Sequence, residues 1–348
     1  MRDFITRYTP LLEDATGVES ILLEMERQMD DVRATYATQG GAIKEFAHSI
    51  KQNTRIIMLG MGASHWVNAL FALQLRKAGI YALAIPASEF LYDPIPLSGE
   101  LVLLTSQSGE SVETVKCLQY LKGVTLYGIT LNKESTIGHA TKAIIAAGGA
   151  EKAFAGTRSV TLTLACMAYI CAELGMFPAK TVHAMVDFRQ NNLDAMHAAV
   201  ALLHTKSSIV ATGRSVFSPL AQLFALGGEE LGGKPILCNE TGQLRHGPLE
   251  VLSTDSVVVL FRQSGELGVL AKSFTNIQEK TGCSLIVIDS SGLEPLEGAI
   301  TIACPAGNDI AAALAVMETF QSLMIAYACG KNKQTGIPKY STKITKTE

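Results

Sequence analysis

The chain has 348 residues, 48% apolar and 18% charged, enough to build more than one hydrophobic core without disulfides or metals. Lys and Arg number 29 against 32 Asp and Glu, for a formal net charge of −3, and no basic stripe runs through the sequence. That excludes nucleic acid and anionic membrane surfaces as expected partners, and an anionic small ligand would have to be held by backbone amides and hydroxyls. The seven cysteines form no Cys-x-x-Cys pair and sit mostly in apolar stretches, as free thiols in a reducing compartment do. Residues 1–7 carry no apolar signal segment, and no run reaches the roughly 18 apolar residues of a membrane span, so a cytoplasmic protein is expected.

Residues 1–45 read as helices. From there short apolar runs alternate with amphipathic segments: Ile56–Leu59, Leu83–Ile85, Leu101–Thr105, Leu126–Thr130 and Ala143–Ala146 as strands, with helical patterns near 65–78, 111–122 and 135–141. Residues 158–203 read as a long helical bridge. The alternation then resumes with Ile209–Thr212, Ile236–Cys238, Val257–Phe261, Leu285–Ile288 and Ile300–Ala303, followed by an Ala-rich helix over 310–329 and a polar tail from Lys331. Such alternation is the pattern of βαβ units on a parallel sheet.

The two sets are copies of each other. Thr54–Gly60 and Ser207–Gly213 are the same strand-into-glycine pattern, with Gly60 and Gly213 standing 153 residues apart. The same shift carries Phe71-Ala72-Leu73 onto Phe224-Ala225-Leu226. A shift of 156 carries Gln107-Ser108-Gly109-Glu110 onto Gln263-Ser264-Gly265-Glu266. The expected organisation is an N-terminal helical segment (1–45), two α/β domains (46–195 and 196–330) and a C-terminal tail (331–348), each domain a three-layer α/β/α sandwich around a parallel five-stranded sheet.

Ligands of open parallel sheets bind at the carboxyl ends of the strands. Two loops of the first copy stand there. Gly60-Met61-Gly62-Ala63-Ser64 follows the first strand and opens a helix, but the third glycine of a dinucleotide fingerprint is missing, position 65 being His. Ser106-Gln107-Ser108-Gly109-Glu110-Ser111 follows an apolar strand and precedes a helical pattern. Its serines and glycine suit a phosphate, although a plain strand-to-helix turn with Ser111 as N-cap fits the same residues.

These two loops resemble those of the sugar isomerase (SIS) family of phosphosugar-binding domains. With Glu230 and Gly242-Gln243-Leu244-Arg245-His246-Gly247-Pro248, the chain is similar to the double-SIS enzymes over residues 45–348: the isomerase domain of glutamine–fructose-6-phosphate aminotransferase, SIS-type glucosamine-6-phosphate deaminases and fructosamine-6-phosphate deglycases. The glutamine-hydrolysing domain has no counterpart in the sequence, so no glutaminase activity is expected.

The resemblance implies that Gly62, Ala63, Ser64, Ser106, Gln107, Ser108 and Ser111, together with Ala155 and Gly156, line the sugar and phosphate site. It makes Glu230, 16 residues before His246, the general base, and His246 the ring-opening residue donated by the partner of a homodimer. Lys343, five residues after Pro338, matches a tail lysine that enters the site, either as a Schiff-base amine or as a group stabilising the opened sugar. Two departures bear on the substrate: Gly156 stands where the family has Ser, and Gln243 where it has Glu. In the second copy, Arg262 crowds the counterpart of the serine loop. The implied activity is cofactor- and metal-independent deamination with isomerisation of a 6-phosphorylated amino sugar. A deglycase acting on a sugar–amine conjugate is the alternative, and a non-catalytic phosphosugar sensor a further one.

Overall fold

The computed structural model describes residues 1–53 and 55–345; Thr54, the first residue of the first strand-like run, and Lys346 in the tail lie outside the described residues. In chain order, α1 (Arg2–Thr6) and α2 (Thr16–Asn53) precede β1 (Arg55–Gly60), α3 (Gly62–Lys77), β2 (Tyr81–Pro86), α4 (Ala87–Tyr92), β3 (Leu101–Thr105), α5 (Val112–Lys116), β4 (Thr125–Thr130), α6 (Thr136–Ala140) and β5 (Lys142–Ile145). Then come α7 (Arg158–Glu173), α8 (Ala179–Asp187) and α9 (Leu193–Thr205). They are followed by β6 (Ser208–Gly213), α10 (Ser218–Gly232), β7 (Leu237–Glu240), α11 (Thr241–Leu244), β8 (Ser256–Gln263), α12 (Glu266–Leu270), α13 (Ser273–Thr281), β9 (Ser284–Ser290), β10 (Ala299–Ala303) and α14 (Ile310–Lys331). The chain divides into two compact units, one of Leu23–Asp187 with the tail from Pro338, the other of Met1–Leu22 with Phe188–Ile337.

The first unit holds a fully parallel sheet in the order β2-β1-β3-β4-β5. Every residue of β3 is buried, as a central parallel strand covered on both faces requires. Ile57, Leu59, Val102 and Leu104 pack with Phe90, Leu91, Cys117 and Ile137. The order reverses direction at β1, and with the right-handed connections that parallel sheets adopt α3 lies on the face opposite α4, α5 and α6. Helix α7 packs on α3; every residue from Arg158 to Cys171 is buried, and the helix is apolar nearly all round. The exposed edge of the sheet is covered: Ala147 N donates to Thr35 Oγ1 (2.8 Å) and Ile145 N to Gln39 Oε1 (3.1 Å), both on α2.

The second unit repeats this plan, with a parallel sheet in the order β10-β9-β8-β6-β7 and a core of Val210, Val258, Leu260, Phe274, Leu285 and Val287. The two five-stranded sheets match the expected fold. The repeat reaches the backbone: Gly62 has φ +51°, and Ser215, 153 residues later, has φ +50° although it is not glycine. The expected helical bridge over 158–203 is three helices, broken by Gly175 at φ +87° with Pro178 behind it and again at 188–192. Helix α14 is long and apolar enough to cross a membrane by length and composition, but 94% of its apolar window is buried inside the protein, as a core helix is.

Candidate functional site

At the reversal point of such a sheet, the loops after β1 and β3 open a crevice. In the first unit these loops touch. A Cβ added at Gly60 would lie 3.0 Å from Thr105 O, 3.1 Å from Asn68 Nδ2 and 3.2 Å from Ser64 Cβ, so Gly60 allows the close approach. Met61 is the N-cap of α3 without a side-chain cap, which leaves the amides of Gly62 and Ala63 as the orphan donors of a helix start. Ser64 is buried, and its amide donates to Met61 O (3.0 Å).

The loop of Ser106–Ser111 is pinned from behind. Ser106 N donates to Ile129 O (3.2 Å), and Gln107 O accepts from Leu131 N (3.0 Å). Gly109, at φ +71°, packs where any side chain would collide with Ser135. The Glu110 carboxylate accepts from Thr136 N (2.7 Å) and Thr136 Oγ1 (2.9 Å), so this acid ties two loops together. Ser106 Oγ accepts from Gly109 N and Ser108 Oγ from Glu110 N, both at 3.1 Å, while each hydroxyl keeps its own proton to donate. Ser111 occupies the N-cap of α5 but makes no side-chain capping bond, so capping does not consume its hydroxyl. Gln107 Nε2 is buried without a partner among the described residues.

A third loop, 151–157, completes the arrangement. A Cβ added at Gly156 would lie 3.2 Å from Val160 Cγ2 and 3.5 Å from both Gln107 Oε1 and Ser159 Oγ; Ala155 beside it is buried. The tail returns to this unit. Lys343 Nζ donates to Glu151 Oε2 (3.2 Å), and Thr345 O accepts from Val112 N (3.2 Å), next to Ser111. Gln107 thus lies against the 151–157 loop at Gly156, and the tail reaches the same loop through Glu151 and Lys343.

Glu230 and His246 stand on the second unit, each exposed in the single chain. The glycine pair before Glu230 sets its direction: a side chain at Gly227 would strike Met324, and one at Gly228 would strike Ile236, so this face of α10 packs inward and the glutamates point out. The neighbouring Glu229 is engaged, its Oε1 accepting from Ile236 N (2.9 Å). Glu230, the next residue, is exposed within the chain. His246 follows α11, its amide donating to Gln243 O (3.0 Å), and Gly247 turns the chain at φ +116°. The counterpart of the serine loop in this unit is filled from within. Arg262, standing where the first copy has Ser106, is fully buried, with Nε donating to Gly268 O (3.0 Å) and Nη1 to Asp289 Oδ2 (3.0 Å) and Glu294 O (2.9 Å).

The SIS domain model matches residues 49–171 and 202–329. The chain belongs to the SIS-domain family. A glutamine–fructose-6-phosphate aminotransferase of Haemophilus influenzae is 27% identical over 320 residues, 83% of this chain and 50% of that protein. One from Sulfurisphaera tokodaii is 26% identical over 238 residues, 66% of this chain and 40% of its own length. The chain thus spans about half or less of these relatives. Among solved structures, the C-terminal domain of the Francisella tularensis glucosamine–fructose-6-phosphate aminotransferase superposes with a TM-score of 0.76 at 20% identity, covering 90% of this chain and 96% of that one. A glucosamine-6-phosphate deaminase from Thermotoga maritima gives 0.70 at 20% identity, covering 93% and 99%. At that identity the likeness is one of fold.

Two residues of the first SIS domain escape a reading of motifs alone. Glu151 is a buried carboxylate beneath the site, and a lone acid before Thr-Arg-Ser offers little signal. His65, directly after Ser64, has Nδ1 buried without a partner among the described residues, and burial pushes its imidazole below the usual range. The charge of Arg158 is spent inside the domain: its guanidinium, fully buried, pairs with Glu24 (2.6 Å) and Asp31 (3.0 Å).

Proposed function

We propose that this SIS protein is an enzyme acting on a 6-phosphorylated amino sugar, deaminating and isomerising glucosamine 6-phosphate to fructose 6-phosphate and ammonia. The observation that carries the reading is the set of donors at the carboxyl ends of β1 and β3 in the first SIS domain: helix-start amides after Met61, the hydroxyls of Ser64, Ser106, Ser108 and Ser111, and a Gln107 amide without a partner among the described residues, with a tail lysine bound to the neighbouring 151–157 loop. Neutral donors in that number suit a phosphate and sugar hydroxyls. By name, the aminotransferase relatives act on fructose 6-phosphate and the deaminase of like fold on glucosamine 6-phosphate.

In this reading His246 opens the pyranose by moving a proton between O1 and the ring oxygen. Glu230 removes the C2 proton and returns it to C1, converting the open-chain 2-amino aldehyde through an enolamine into a ketimine. Water adds to the C2=N bond, and loss of ammonia leaves the ketose. Lys343 meets the open-chain carbonyl either as a Schiff-base amine or as a group stabilising the opened sugar. His246 reaches the site from the partner of a homodimer; its exposure in the single chain supports this. Gly156 bears on the second reading, a deglycase, because it offers the sugar no hydroxyl beside Gln107 where the resembled enzymes have Ser.

Ser106→Ala and Ser108→Ala test the phosphate site. Each should weaken glucose 6-phosphate binding in a calorimetric titration by about 1.5–3 kcal/mol, roughly 10- to 150-fold in Kd. Thermal melts control for the loop bonds each hydroxyl accepts. Unchanged affinity in both variants removes the serine loop from the binding site.

A further inference from the structure

We infer that Glu151 is a positioning residue, a buried carboxylate that holds the Lys343 amine in the site and thereby docks the C-terminal tail. The inference rests on the proposed role of Lys343 and adds the device that places it.

The Glu151 side chain is 1% exposed. A buried carboxylate is stable only when its lone pairs are filled and its charge is met. The start of α7 does the first: Oε1 accepts from Thr157 N (2.9 Å), Thr157 Oγ1 (3.1 Å) and Arg158 N (2.9 Å), and Oε2 accepts from Ser159 Oγ. Four donors from three consecutive residues fix both oxygens in orientation before any tail arrives. Oε2 keeps a direction open, and Lys343 Nζ takes it at 3.2 Å. The other buried cation at this helix start is committed elsewhere, since Arg158 donates to Glu24, Asp31, Ala147 O and Gly149 O.

The tail is held at a second point two residues on, where Thr345 O accepts from Val112 N. Residues 338–342 are exposed, with Tyr340 at 90%. A flexible four-carbon side chain on such a tail would sample many positions. The two anchors, Glu151 on Lys343 and Val112 on Thr345, confine it, while about a third of the Lys343 side chain, 31%, stays accessible to a ligand.

Lysine reactivity tests this without reference to turnover. With dilute acetic anhydride and peptide mass spectrometry, Lys343 of the full-length protein should acetylate about fivefold more slowly than exposed Lys122, the protection expected of one partly buried ion pair. Glu151→Gln should abolish the difference, and Glu151→Asp, which keeps the charge but withdraws it by one methylene, should lie between; that second variant also decides if Gln at 151 fails to fold. Kinetics supply the second arm. Glu151→Gln should lower kcat on glucosamine 6-phosphate about tenfold with KM within about twofold, and have no further effect in a Lys343→Gln background, because coupled residues are non-additive. Unchanged Lys343 labelling in Glu151→Gln, or additive kinetic losses, overturns the positioning role. If the unmodified protein does not turn over glucosamine 6-phosphate, the proposed reaction fails, and the labelling arm still decides whether Glu151 holds Lys343.

Discussion

Replacing Glu230 with glutamine should lower turnover of glucosamine 6-phosphate by about 10²–10⁴-fold while leaving the affinity for glucose 6-phosphate nearly unchanged. Glutamine keeps the size and most of the hydrogen bonding of the side chain and removes only the group that exchanges a proton. The neighbouring acid is a control with an opposite signature. Because Glu229 accepts from the Ile236 amide, Glu229→Ala should cost stability, about 1–3 kcal/mol for an orphaned donor, and little turnover. Steady-state kinetics and thermal melts on both variants separate the two roles. A turnover loss confined to the Glu229 variant places the base one residue earlier.

The second large effect concerns the support of the first SIS domain. Arg158→Met should destabilise the protein by about 3–5 kcal/mol at pH 7, because it leaves Glu24 and Asp31 beside one another without the buried cation that pairs both. The pH dependence follows from Glu24. Burial pushes its carboxyl up, but bonds from the Lys152 amide and from Arg158, with the charge of Arg158 and Arg27, more than offset this and hold it below the usual carboxylate range. A carboxyl with a depressed folded pKa contributes stability above its unfolded value and loses it as pH falls through the folded one. The parent protein should therefore lose stability below about pH 4.5. In Arg158→Met the acids gain by protonation, so the gap between the two melting curves should narrow towards pH 4. Parallel curves from pH 7 to pH 4 contradict the network.

Nine of the ten strands lie where apolar runs between Gly, Pro and polar clusters indicate; the central ones, β3 and β8, are buried on both faces and must be apolar along nearly their whole length. The Ile236–Cys238 run overlaps the strand at Leu237–Glu240 but starts one residue early and misses its polar end, Asn239 and Glu240, at an edge whose residues are exposed or half-buried. Helix breaks inside 158–203 were readable at Gly175 and Pro178 but not at 188–192. The serine loop is legible because its chemistry is local. Glu151 is not: its partner Lys343 lies 192 residues away, and nothing in the composition of either neighbourhood joins them. The same holds for Arg158, whose partners are 134 and 127 residues distant. Arg262 is the converse case, since the repeat places it against Ser106 and shows from sequence that the second loop differs from the first.

Product analysis of the unmodified protein tests the central claim most directly. Glucosamine 6-phosphate, and in parallel a fructosamine 6-phosphate conjugate, would be incubated with the protein, and fructose 6-phosphate, glucose 6-phosphate and ammonia measured. The account predicts equal amounts of fructose 6-phosphate and ammonia from glucosamine 6-phosphate. Glucose 6-phosphate and free amine from the conjugate alone would make the protein a deglycase. Binding of both sugars without turnover of either would contradict an enzymatic role and leave a phosphosugar sensor.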